Sequence, residues 1–128
     1  MPITPARVFD SRHLSPVGPL ASGATRTVSV ANSYLPDGAT LATSNVVPSR
    51  ATAVAVNLTI TDTSGSGFLF LAPGTATAVT ASSINWTAPG TTVANALVVP
   101  LDSVRQLKAF VGGGGSAHFL LDVSGYYR

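Results

Sequence analysis

The sequence predicts an all-β protein: a β-sandwich of about eight strands, jelly-roll-like, with little or no helix. Two observations carry this. Short runs of β-branched and aromatic residues recur along the chain, separated by Gly, Pro, Ser and Asp. And no window shows apolar residues at i, i+3 and i+4 backed by good helix formers. The 128 residues fit one domain, residues 1–128, large enough to bury a full core without staples.

The elements follow in order. "ARVFDS" is the first strand, ahead of the Pro/Gly-rich loop "HLSPVGPLASG" and a short strand, "TRTVSV". The segment 31–50 is mostly irregular, with a turn at Pro36-Asp37-Gly38. Any helical turn belongs there. "ATAVAVNLTIT" is the cleanest strand, with Val54, Val56, Leu58 and Ile60 on one face and Ala53, Ala55, Asn57 and Thr59 on the other. "SGSG" reads as a hairpin into "FLFLAP". "ASSINWT" alternates Ile84 with Trp86, and "TTVANALVVPL" follows. "RQLKAFV" runs into Gly112–Gly115, read as a flexible hairpin loop, and "SAHFLLDVSGYY" closes the sheet. "ATAV" at 51–54 recurs at 76–79, and "NLT" at 57–59 is echoed by "NWT" at 85–87. The unequal offsets mark similar strands rather than a repeat architecture.

Composition excludes several function classes. There is no Cys, so disulfides, Cys-zinc sites and thiol chemistry are out. Charged residues make up 9% of the chain, against about 25% in ordinary domains. The net charge of +2 comes from scattered Arg and one Lys, with no basic stripe, so nucleic-acid binding is not expected. No apolar run approaches the length of a membrane helix, and no membrane insertion is expected. No signal peptide is visible in "MPITPARVFDSR".

The motifs of catalysis are missing too. His118 and Asp122 share a strand face but are four residues apart, roughly 13 Å at strand rise, too far for a dyad. Ser64 and Ser66 sit in a Gly-Ser turn rather than a strand-to-helix elbow. Glu is absent, and Asp10, Asp37, Asp62, Asp102 and Asp122 are scattered singly. Two isolated His and no paired Asp make no metal site. The tetraglycine lacks the Lys-Ser/Thr of a phosphate loop. No catalytic activity, metal or cofactor is expected.

What the sequence offers instead is an ion-pair network and a few aromatics. Asp122 lies between Leu121 and Val123 and must find a partner, because an unpaired buried charge is very costly. Arg7 and Arg12 of the first strand are its expected partners, with Asp10 as the alternative anchor. Tyr126, Tyr127, Trp86 and Tyr34 are the candidate ligand or interface aromatics. Trp86 alternates with Ile84 and favours the core. Only one of Tyr126 and Tyr127 faces the core if the strand continues.

Four stretches together resemble a family of domains found in secreted and cell-surface proteins of actinobacteria and some other bacteria. They are "PARVFDSR", "ATAVAVNLTITDTSGSGFLFLAPGT", "SSINWTAPGTTVANALVVPL" and "GSAHFLLDVSGYY". That family reads Pro-x-Arg-x-x-Asp-Thr-Arg at its start and Asp-Val-x-Gly-Tyr-Tyr at its end. Here Ser11 stands for the Thr, and Trp86 for a Phe. The resemblance implies an extracytoplasmic accessory module accompanying catalytic or adhesive domains.

The expected function is therefore a non-catalytic structural or attachment module of a secreted or cell-surface assembly, working by self-association. Strands 68–72 and 93–99 are apolar on both faces, and so few charges leave a monomer poorly covered. A closed homo-oligomer is expected, three subunits first. Two alternatives stand beside it. One is a carbohydrate-binding module for cell-wall or environmental glycan. The other is the receptor-binding tip of a fibre, from a phage tail or contractile injection apparatus.

Overall fold

Val54, Val56, Leu58 and Ile60 alternate along one long strand and are all essentially sealed from solvent. The inner faces of two sheets close over them. The computed structural model describes residues 1–77 and 83–128. Among these there are eleven strands and no helix: β1 (Pro2–Asp10), β2 (Leu20–Ala21), β3 (Thr25–Ser29), β4 (Ser33–Tyr34), β5 (Leu41–Thr43), β6 (Ala53–Ser64), β7 (Gly67–Pro73), β8 (Ile84–Trp86), β9 (Val93–Pro100), β10 (Gln106–Gly112) and β11 (Ser116–Tyr127).

One sheet runs β1-β11-β6-β9, with β2 also pairing β11; the facing sheet runs β3-β10-β7-β8. All these pairs are antiparallel. Leaving out the short β2, β4 and β5, eight strands form the sandwich. Taken in chain order they lie 1-8-3-6 in one sheet and 2-7-4-5 in the other. That is a jelly roll. Every sandwich strand hands over to the opposite sheet except β7, whose successor β8 is its own neighbour.

Segment 31–50 holds β4 and β5, a two-stranded sheet beside β1, where the only helical turn was expected. The strand expected over 81–87 is seen as Ile84–Trp86. Its first two residues, and Ala78 and Val79 of the "ATAV" echo, lie outside the described residues.

The sheet-to-sheet course corrects the two hairpins. "SGSG" links β6 to β7, and the tetraglycine links β10 to β11, so both are arches between sheets. The arches pack against each other. A Cβ on Gly115 would collide with the Ser64 carbonyl and come within 2.8 Å of the Ser66 carbonyl. A Cβ on Gly113 would meet the Gly67 Cα at 2.8 Å. Ser64 and Ser116 hydroxyls bond across the junction at 2.7 Å. Glycine is needed here for close approach of two backbones, rather than for a flexible tip.

The core is apolar throughout: Val8, Phe9, Leu58, Ile60, Leu69, Leu107, Phe119, Leu121 and Val123 are among its buried members. Phe9 and Phe119 stack obliquely, ring centres 5.0 Å apart. In β11 the inward set is Phe119, Leu121 and Val123, and His118, Leu120 and Asp122 face outward. On the outer face of the other sheet, Phe70 and Phe110 approach at 6.1 Å, and the Lys108 ammonium lies 5.9 Å from the Phe110 ring centre. That contact partly covers the second apolar face of β7.

Candidate functional site

Register places the charged network on the outer face of the five-stranded sheet. β1 and β11 pair so that Arg7 stands opposite Asp122, and Asp10 opposite Leu120. Arg7 Nε donates to Asp122 Oδ1 at 2.7 Å, and Arg7 Nη2 donates to Oδ2 at 3.2 Å. The fork is bidentate, the geometry that guanidinium and carboxylate share. Arg7 Nη1 also sits 3.6 Å from Asp10 Oδ2.

Asp10 is the buried member, with its side chain only 1% exposed. Arg12 wraps it: the Arg12 backbone N–H and Nε both donate to Oδ1 at 3.0 Å, and Nη2 donates to Oδ2 at 3.0 Å. Burial pushes the Asp10 carboxyl up. The Arg12 hydrogen bonds and charge pull it down further, leaving it below its ordinary value. Arg7 is held above its usual value, chiefly by the hydrogen bond to Asp122. The structure thus joins Arg7, Asp10, Arg12 and Asp122 in one chain of contacts. Arg12 bonds Asp10 rather than Asp122, and Arg7 bridges the two carboxylates.

Next to this network lies a pair that sequence reasoning missed. Ser11 Oγ is 2.8 Å from His118 Nδ1 and accepts the Phe119 backbone N–H at 2.9 Å. Oγ accepts the amide proton with one lone pair and keeps a second lone pair and its own proton, so the bond to Nδ1 runs in the direction that the His118 tautomer sets. A Ser–His contact invites a catalytic reading. Ser11 is fully buried, however, and its oxygen is engaged by a backbone donor. The pair clasps the end of β1 to β11. Nothing in the spacing of Ser11 and His118, 107 residues apart, signals it; only the β1–β11 register does.

The aromatic candidates separate. Trp86 is 3% exposed, and its indole N–H donates to the Ser64 carbonyl at 3.2 Å. It is removed from the candidate ligand aromatics, because its ring is packed in the core beside Gly67 and the arches. A register shift between Val123 and Gly125 turns Tyr126 inward, where it packs on the core edge, while Tyr127 faces out. The Arg128 guanidinium lies 5.8 Å from the Tyr126 ring centre. Tyr34, half-buried, forms a wall shared by two clefts. The larger, about 370 Å³, runs between β1 and the β4–β5 sheet and is lined by Thr4, Arg7, Ser33, Tyr34 and Thr43 with apolar neighbours.

The opposite side of the sandwich is chemically different. From Thr63 to Leu101 the chain contains no Asp, Glu, Lys, Arg or His. That stretch forms β7, β8 and β9, and β8 and β9 are the edge strands of their sheets on that side. Val98 is 60% exposed, and Val93, Ala94 and Ala96 are exposed beside it. Among the described residues no three metal-ligating side chains converge.

The fold defines the chain as a jelly-roll β-sandwich. No protein-family model matches it, and comparison with curated proteins returns no match.

Proposed function

We propose that this domain is a non-catalytic attachment module of a secreted or cell-surface assembly, and that it acts by binding further copies of itself. The observation that carries this reading is the uncharged β8–β9 side. Solvated surfaces intersperse charges of both signs, whereas the centres of protein interfaces are depleted in them. Strands β7, β8 and β9 carry no ionisable residue, and with Val93, Ala96 and Val98 exposed they have the chemistry of a surface that another protein covers.

Size exclusion with light scattering at micromolar concentration tests the reading. The expected mass is a multiple of the 12.9 kDa chain. Val98→Lys should shift it toward a single copy, since a charge placed in an apolar contact must be desolvated. A single-copy mass that does not change on tenfold concentration would sink the proposal.

A second reading rests on the Tyr34 cleft. Its volume lies in the range of small-molecule sites. A tyrosine, three hydroxyl-bearing neighbours and a guanidinium already balanced by Asp122 suit a neutral saccharide. A glycan array carrying cell-wall fragments tests it, with Tyr34→Ala expected to abolish binding. The cleft and the β8–β9 side are built from different strands, so that substitution should leave the mass unchanged.

A further inference from the structure

The two edges of the five-stranded sheet are built in opposite ways. β1 carries Pro2, Pro5 and Arg7, and its register with β11 shifts twice, between Pro2 and Ala6 and between Arg7 and Phe9. Prolines, charges and bulges are the devices by which edge strands refuse further pairing. β9 has none of them before its last residue. It pairs with β6 over eight consecutive positions, from Ile60↔Val93 to Ala53↔Pro100, without a shift, and its only proline is the last residue. Its sequence, Val-Ala-Asn-Ala-Leu-Val-Val-Pro, holds no charge. Among the described residues, nothing pairs with its outer edge.

We infer that β9 pairs with β9 of a second copy, antiparallel across a two-fold axis, so that the two sheets continue into one. This rests on the self-association proposed above and names its geometry. Symmetry argues for a second copy over a foreign strand. In an isologous contact the residue at the axis faces itself, and its neighbours face their own equivalents close by. Any charge there meets its like, which destabilises a cross-strand pair. An edge with no charge from end to end satisfies that condition at every register. A foreign partner would impose no such rule and would ordinarily be met with complementary charges. Small side chains add to the fit. Ala94, Ala96 and Val98 point to the outer face of the sheet, opposite Thr59, Asn57 and Ala55 of β6, so among the described residues no bulky side chain on that face stands in the way of a strand arriving at the usual spacing of about 4.8 Å.

The chain has no cysteine, so single thiols report the contact directly. Directly opposed residues on adjacent strands have Cα atoms about 4.5–5.5 Å apart, within disulfide reach. A two-fold axis normal to the sheet pairs outward positions only with outward positions. Ala94→Cys, Ala96→Cys and Val98→Cys, alone and in pairwise mixtures, therefore sample every axis from residue 94 to residue 98. The expected result is a two-copy mass for the unmodified chain, and a covalent dimer under mild oxidation from at least one variant or mixture. A two-copy or larger mass with no cross-link from any of them overturns the β9 pairing and leaves self-association standing. A three-copy mass does the same, because a three-fold ring contains no two-fold strand pair. A single-copy mass overturns both.

Discussion

Arg7 and Asp122, 115 residues apart in the chain, meet in a two-bonded fork across the β1–β11 pair, at 2.7 and 3.2 Å. Their side chains are 31% and 24% exposed, so the pair is neither a core ion pair nor a free surface one. Asp122→Ala releases Arg7 to water on one side and leaves it its weaker contact with Asp10. The loss should be about 1.5–3 kcal/mol, the range for hydrogen bonds to charged groups. Urea denaturation measures it. A midpoint identical to the parent's would mean the fork contributes nothing to stability.

Arg12 should matter more than Asp122. Arg12→Met strips the buried Asp10 carboxylate of its two side-chain hydrogen bonds and leaves it only the backbone N–H of residue 12 and the 3.6 Å contact with Arg7. A buried charge without its partner destabilises by about 3–5 kcal/mol. The ordering Arg12→Met below Asp122→Ala in melting temperature is the expected outcome; the reverse ordering would place the buried anchor elsewhere.

Acid should act through Asp10. Its folded pKa lies below the ordinary 3.8, so the unfolded chain binds the proton first. The stability Asp10 contributes is fully present above the unfolded value and is lost as pH falls through the depressed folded value. Melting temperature against pH should therefore fall below about pH 4, and Asp10→Asn should flatten that part of the curve. An unchanged slope in Asp10→Asn would assign the acid sensitivity to another carboxyl.

Asp37 offers a purely spectroscopic check. Its carboxylate accepts the Thr40 hydroxyl and the backbone N–H groups of Thr40 and Ala39. These bonds, the Thr40 hydroxyl first, hold its pKa down at about 2. A carboxyl-carbon NMR titration should find the Asp37 midpoint there. A midpoint near 3.8, the ordinary value, would mean the 37–40 turn is open in solution.

Ser11→Ala should destabilise by about 1–3 kcal/mol, because the Phe119 backbone N–H is left buried without an acceptor. Ser11→Thr keeps the oxygen and should recover most of the loss. If Ser11→Ala melts with the parent, water has replaced the hydroxyl.

The glycine arch separates two kinds of strain. Gly114 has φ of 102° but open space around its missing Cβ, so Gly114→Ala meets only backbone strain. Gly115→Ala drives a methyl into the Ser64 carbonyl and toward the Trp86 indole. Gly115→Ala should be the more damaging of the two, visible as changed Trp86 fluorescence together with a lower melting point. Equal effects would mean the arches separate easily.

The long alternating strands were legible because a half-buried strand writes its face into every second residue. Val54 to Ile60, and Phe119 to Val123, are read directly from that period. The all-β class and the sandwich strands follow. The two arches were misread because glycine serves a hairpin and a sheet-to-sheet crossing equally well. What distinguishes them is the partner of each flanking strand, which is not local information. The Arg7, Asp10, Arg12 and Asp122 side chains were identifiable as polar groups on or beside apolar strands, but their pairing required the β1–β11 register. The Ser11–His118 clasp depends wholly on that register. Tyr126 and Tyr127 could be told apart only through the shift beyond Val123.

The position of β11 between β1 and β6 also has a consequence for synthesis on the ribosome. The sheet's most contacted strand is the last of the domain to emerge. Until it does, β1 and β6 cannot be joined, and the core has no Phe119, Leu121 or Val123 to close it. Until Tyr127 has cleared the exit tunnel, β1 has no partner in the sheet and β6 is paired along one edge only. Non-local pairing of this kind folds slowly and exposes edges to aggregation. A domain truncated before β11 should therefore stay open and prone to aggregation, so the fold makes its own last strand a condition of stability.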